Sequence, residues 1–119
     1  MTRYIPNFKA PNKYGAKKTV VDGITFDSKA EAARYRQLKL MQQAGEIIGF
    51  TRQPSFILPG GIRYMPDFLV CDKDMKIWVE DVKGYETKEF KLKKKLWDES
   101  FWWLPLRIIS GVRNAMKNL

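Results

Sequence analysis

The chain has 119 residues, 45% of them hydrophobic, and carries 22 Lys and Arg against 13 Asp and Glu for a net charge of +9. That length suits one domain, the four Trp, seven Phe and five Tyr can fill its core, and the charge favours a polyanionic partner, nucleic acid ahead of an anionic membrane. With no His and the single Cys71, the sequence excludes Ser-His-Asp and Cys-His catalysis, zinc sites built on His or on Cys alone, and an internal disulfide.

Residues 1–17 are basic and polar, with Pro6, Pro11 and Gly15, and read as an N-terminal arm ahead of a single domain over 18–119. Lys13, Lys17 and Lys18, with Arg3 and Lys9, fit an arm lying on a DNA backbone and equally an unstructured lead-in. No secretory leader is visible, and no apolar run approaches the roughly 20 residues that span a bilayer. One free Cys and no leader fit a reducing cytoplasm.

Thr19-Val20-Val21 and Ile24-Thr25-Phe26 flank Asp22-Gly23, a pair suited to the positive φ angles of a tight hairpin turn. Ser28, with Glu31 three residues on, fits a capping box that starts a helix running to about Ala44, where Gly45 stops it. Ile47 to Leu58 reads as extended and broken near Pro54, and Pro59-Gly60-Gly61 as a turn. Ile62–Cys71 reads as a second strand, Asp72-Lys73-Asp74 as a turn, and Met75–Lys83 as a third strand ended by Gly84. A second helix is expected from about Thr87 to Phe101, then a short strand at Leu106–Ile109 and a helical tail over 111–119. The order is helix, three strands, helix, strand. It predicts an α/β fold, with a meander and then a crossover to a parallel neighbour, forming a mixed sheet flanked by helices.

The third strand holds the chemistry. Side chains alternate faces along a strand, so Asp81 and Lys83 share one face while Glu80 and Val82 share the other. Asp67 sits among apolar residues in the preceding strand, and 67 and 81 are equidistant from Asp74 at the turn, which brings the two acids together. Adjacent carboxylates repel, and one keeps its proton unless a cation lies between them. A hard ion such as Mg²⁺ prefers oxygen ligands, and Lys83 is placed to orient water or to stabilise charge on a phosphate. Together these are the components of metal-assisted phosphodiester hydrolysis. Glu31 lies on the same helix face as Tyr35, Leu38 and Gln42, and is either a third carboxylate for the site or simply a cap. Glu80 would replace Asp81 if a bulge shifted the register, but only Asp81 has the two-residue spacing to Lys83.

Met65-Pro66-Asp67-Phe68 followed by Glu80-Asp81-Val82-Lys83-Gly84 resembles the PD-(D/E)xK motif of the restriction-endonuclease-like nuclease superfamily. From Phe26-Asp27-Ser28-Lys29-Ala30-Glu31 to Val82-Lys83-Gly84, the chain is similar to small phage-encoded endonucleases and Holliday-junction resolvases of that fold. The likeness spans roughly residues 14–110 and implies an αβββαβ core. It also implies Asp67 and Asp81 as metal ligands, Lys83 as the lysine that positions the attacking water, and Glu31 and the Val82 carbonyl as further ligands. Mg²⁺, with Mn²⁺ as substitute, would be the cofactor, and the location would be the host cytoplasm if the gene is a phage's.

Lys91, Lys94 and Lys95 on the second helix are expected to face solvent or phosphate, on the side away from Leu92 and Leu96. Lys93 falls in the apolar arc and either snorkels or points toward the site. Gln53 is a candidate substrate contact or an ordinary strand-end polar residue, while Phe101, Trp102 and Trp103 read as core or dimer surface ahead of base stacking. The expected function is a Mg²⁺-dependent endodeoxyribonuclease acting as a homodimer, selective for DNA shape such as a four-way junction. The alternative is a non-catalytic DNA-binding or recombination-accessory module on the same fold. A membrane-surface role ranks last, since no free basic amphipathic helix is present to carry it.

Overall fold

The computed structural model describes residues 18–110. The basic arm over 1–17, with Lys13 and Lys17, and the expected helical tail over 111–119 lie outside the described residues.

Strands β1 (Thr19–Val21) and β2 (Ile24–Phe26) pair antiparallel. Asp22 and Gly23 adopt φ of 54° and 76°, the paired positive angles that a tight hairpin requires. Helix α1 (Lys29–Gln43) begins where the Ser28 hydroxyl accepts from the Glu31 N–H at 3.1 Å. It ends where Gly45, at φ 80°, turns the chain so that the Gly45 and Glu46 N–H groups reach the Gln42 and Met41 carbonyls.

After α1 come β3 (Ile47–Arg52), β4 (Phe56–Leu58), β5 (Ile62–Tyr64), β6 (Phe68–Asp72) and β7 (Ile77–Lys83). Helix α2 (Lys88–Ser100), capped by the Thr87 hydroxyl on the Phe90 N–H, leads to β8 (Leu106–Ser110). The main sheet has the order β3-β6-β7-β8, antiparallel up to β7 and parallel between β7 and β8. This is a mixed sheet with two helices in an α/β fold.

The expected break near Pro54 is present, and the structure corrects one expected strand, Ile62–Cys71. Ile47–Leu58 divides at Gln53-Pro54, and Ile62–Cys71 divides at Met65-Pro66. Proline has no N–H for a ladder bond, so each break falls where pairing would have to pass a proline. The pieces next to the breaks, β4 and β5, pair with each other as a separate hairpin. The meander therefore runs β3, β6, β7, with the β4–β5 hairpin as an excursion from it.

Two apolar clusters pack on opposite faces of β7. Trp78 and Val82 join Phe26, Tyr35, Leu38, Ile47, Phe68 and Val70 beneath α1. Val79 joins Leu58, Tyr64, Phe90, Trp97, Leu104 and Leu106 beneath α2 and the β4–β5 hairpin. Trp97 is fully enclosed, its indole N–H donating to the Leu104 carbonyl at 2.8 Å, with Phe101 stacked on it at 4.5 Å. Trp102 and Trp103, expected as core or dimer surface, are exposed. Among the described residues no helix is long and apolar enough to cross a membrane.

Candidate active site

Strand β7 is buried on both faces, and that explains charges at the end of an apolar run. Each carboxylate has a partner suited to its side. Glu80 faces α1, where the Arg34 guanidinium grips both its oxygens at 2.7 and 2.6 Å, and the Trp78 indole N–H adds a bond at 2.9 Å. Arg34 also donates to Gln37 at 2.6 Å. Asp81 faces the other way, with Lys83. No bulge shifts the β6–β7 register, so Asp81 and Lys83 keep the common face that alternation requires.

The turn between β6 and β7 fixes that register. Asp72 Oδ1 accepts from the Asp74 and Lys76 N–H groups, both at 2.9 Å, an Asx-type closure. The pairs Phe68–Glu80 and Leu69–Val79 follow from it. One step beyond, the Asp67 N–H donates to the Glu80 carbonyl at 2.9 Å, so Asp67 comes opposite Asp81.

The two aspartates are near enough for Asp81 to act on the Asp67 carboxyl. Asp67 Oδ2 also accepts the Val82 N–H at 2.7 Å. Burial first, then Asp81, then Glu31 acting through space, push the Asp67 carboxyl well above the usual carboxylate range, against the Val82 N–H, which pulls it down. Asp81 Oδ2 accepts the buried Tyr64 hydroxyl, whose own ionisation is driven far up by burial and by Asp81. Asp81 Oδ1 faces the Lys83 ammonium at 3.6 Å, which lies 4.4 Å from the centre of the Phe90 ring.

Among the described residues, no group of three or more acidic, His or Cys side chains forms a ready-made cation cage. What exists is a pair of interacting carboxyls, with Glu31 as a further charge acting on Asp67. An all-oxygen donor set, with one member driven to hold a proton, suits a hard divalent ion, which would replace the proton and screen the repulsion.

The shift of Asp67 has a consequence in solution. Its folded form keeps a proton to higher pH than its unfolded form, so stability falls as pH climbs from about 4 through the raised value. Thermal midpoints taken in EDTA should fall over that window in the wild type and much less in Asp67→Asn. Equal slopes would show that Asp67 titrates normally.

The proposed DNA contacts fall into distinct settings. Lys18 is exposed, 3.8 Å from Asp27. Gln53 is exposed at φ 51°, unusual for a residue with a Cβ, and its N–H holds the Asp67 carbonyl at 2.9 Å. Lys91 is exposed and lines a shallow open cleft with Lys83, Gly84, Tyr85, Glu86 and Ser110. Lys95 is exposed. Lys93 and Lys94 are half-buried, 4.0 Å from Glu89 and 2.7 Å from Asp98. One expectation for α2 is thus corrected: Leu92, expected on the side away from the solvent-facing lysines, itself points to solvent at 56% exposure. Lys94 pairs at the surface with Asp98. Phe90 and Trp97, seven residues apart, set the buried stripe, and positions 93 and 94 lie between them, as expected for Lys93.

Tyr64, Arg34 and Gln37 were absent from the sequence-based site. Buried Arg34 opposite buried Glu80 could have been paired by charge matching. Tyr64 had no such signal.

Residues 11–115 match the family described as "Protein of unknown function (DUF1064)". Over 88 residues, the chain is 34% identical to a curated protein named Endonuclease Bax1 from Sulfurisphaera tokodaii. That stretch takes in 74% of this chain but 17% of the relative's length.

Proposed function

This chain belongs to the DUF1064 family, and we propose that it is a metal-dependent endodeoxyribonuclease. One observation carries the reading: the β6–β7 register sets Asp67 against Asp81, with Lys83 on the same face. The endonuclease name of the relative supports it from outside the geometry.

Asp67 and Asp81 would hold Mg²⁺, with Mn²⁺ as substitute, and Glu31 and the Val82 carbonyl would complete the ligand set. The ion supplies Lewis-acid stabilisation of the charge that develops on the phosphate. The Val82 N–H fixes one Asp67 oxygen, and Tyr64 fixes one Asp81 oxygen. Lys83 carries the other charge of the site, and from its place beside Asp81 Oδ1 it orients the attacking water or donates to a phosphate oxygen. The exposed Lys91, along the cleft from Lys83, tracks the backbone of the substrate.

The preferred substrate in this proposal is branched DNA, read by its shape and cut by a homodimer whose two sites nick opposite strands. A panel of matched linear, nicked, flapped and four-way DNA tests it, with Mg²⁺, Mn²⁺ or EDTA. The expected result is metal-dependent cleavage that is fastest on the four-way substrate and absent in EDTA. Equal rates on all four substrates remove the shape selectivity. Binding without cutting in either metal replaces the enzyme with a DNA-binding accessory module.

Lysine placement adds a separate expectation. Lys91→Ala should weaken DNA binding evenly across sequences and lower the salt slope by about 1. Lys94→Ala should do much less, because Asp98 already neutralises that charge. Fluorescence anisotropy at several salt concentrations would separate them, and equal losses would contradict the assignment.

A further inference from the structure

We infer that Tyr64 is a positioning residue for the cation site, an inference that rests on the proposed nuclease reading. Its hydroxyl donates to Asp81 Oδ2, while the Lys83 ammonium stands 3.6 Å from Asp81 Oδ1. The two oxygens of one carboxylate are thereby given different work. Oδ2 is tied to the protein interior, and Oδ1 is turned toward Lys83 and the reaction space.

The tyrosine is well placed to hold that orientation. It is buried, with its ring 5.8 Å from that of Trp97 and 6.4 Å from that of Phe90. Phe90 also underlies the Lys83 ammonium. One aromatic group therefore sets both the hydroxyl that aims Asp81 and the surface that supports Lys83. Tyr64 ends β5, so the excursion hairpin β4–β5 delivers a side chain to the site from outside the main sheet. A carboxylate held by a buried donor on one oxygen is restrained from swinging to bind a cation through both oxygens, and partners behind a ligand of this kind tune affinity.

Tyr64→Phe removes the hydroxyl and keeps the ring. Mn²⁺ binding, followed by electron paramagnetic resonance without DNA, should weaken by about 10-fold or more in the variant. The Mg²⁺ concentration giving half-maximal plasmid cleavage should rise with it, while circular dichroism stays native. In the wild type labelled at the tyrosine Cζ carbons, Mg²⁺ should shift one carbon resonance, a readout independent of how well the variant folds. A wild type that binds Mn²⁺ and cuts DNA, with unchanged Mn²⁺ affinity in Tyr64→Phe or no tyrosine resonance responding to Mg²⁺, overturns the positioning role alone. A wild type that neither binds Mn²⁺ nor cuts overturns the nuclease reading, and this inference with it.

Discussion

Asp81→Asn is expected to cut supercoiled plasmid about 10³-fold more slowly than the wild type at saturating Mg²⁺, the rate equivalent of the several kcal/mol that a correctly held ion contributes to phosphoryl chemistry. The substitution preserves shape, and its amide oxygen can still accept from Tyr64. What it removes is the negative charge that faces Lys83 and presses on Asp67. The same variant should be at least as stable as the wild type in EDTA, because the second-largest cause of the Asp67 shift is gone. Loss of activity with retained or increased stability is the pattern of a site that holds like charges together for function. Single-turnover cleavage and a thermal melt on the same preparation measure both effects. Cleavage within 10-fold of the wild type would remove Asp81 from the proposed active site.

The placement of Asp67 opposite Asp81 was legible because a short turn fixes a strand register. Asp72-Lys73-Asp74 sits between two apolar runs, and counting outward from Asp74 aligns 67 with 81, one step past the last ladder pair, Phe68–Glu80. Helix starts were legible for a similar reason. Ser28 and Thr87 carry hydroxyls at the places where unpaired N–H groups need acceptors. Tyr64 was hidden by an error of continuity. In one unbroken strand, 64 and 67 differ by an odd number and face opposite sides. The break at Met65-Pro66 resets the chain direction, so Tyr64 from β5 and Asp67 before β6 both reach Asp81. Pro66 marks the break, but no local pattern gives the direction the chain takes after it. The buried stripe of α2 was legible because Phe90 and Trp97 are large residues seven apart, and Lys93 between them is half-buried as expected, while the exposure of Leu92 was not. The roles of Glu31 and the Val82 carbonyl belong to the proposal, since Glu31 acts on Asp67 through space and Val82 is seen contributing its N–H.

The largest stability effect is expected one residue from the site, at the Arg34–Glu80 pair. Both side chains are buried, and both Glu80 oxygens bond to the Arg34 guanidinium. Arg34→Met leaves Glu80 facing the Trp78 and Val82 side of the core with one indole N–H for company. Stranding one member of a buried ion pair costs about 3–5 kcal/mol, a large part of the 5–15 kcal/mol that holds a small domain together. Urea unfolding should show this as a lowered midpoint. Adding Glu80→Leu to Arg34→Met should recover most of the loss, because a well-packed apolar pair can match a buried ion pair in net stability. A double variant as unstable as Arg34→Met alone would mean that the damage comes from lost packing around α1. The recovered double variant then asks what the pair does for the site. Glu80 tied to α1 sets the face of β7 from which Asp81 is excluded, and Arg34 lies one helical turn beyond Glu31 on the same helix. If the ion pair serves register, the stable double variant should fold and yet bind Mn²⁺ more weakly than the wild type, since an apolar contact holds β7 against α1 without fixing where along it Asp81 must stand.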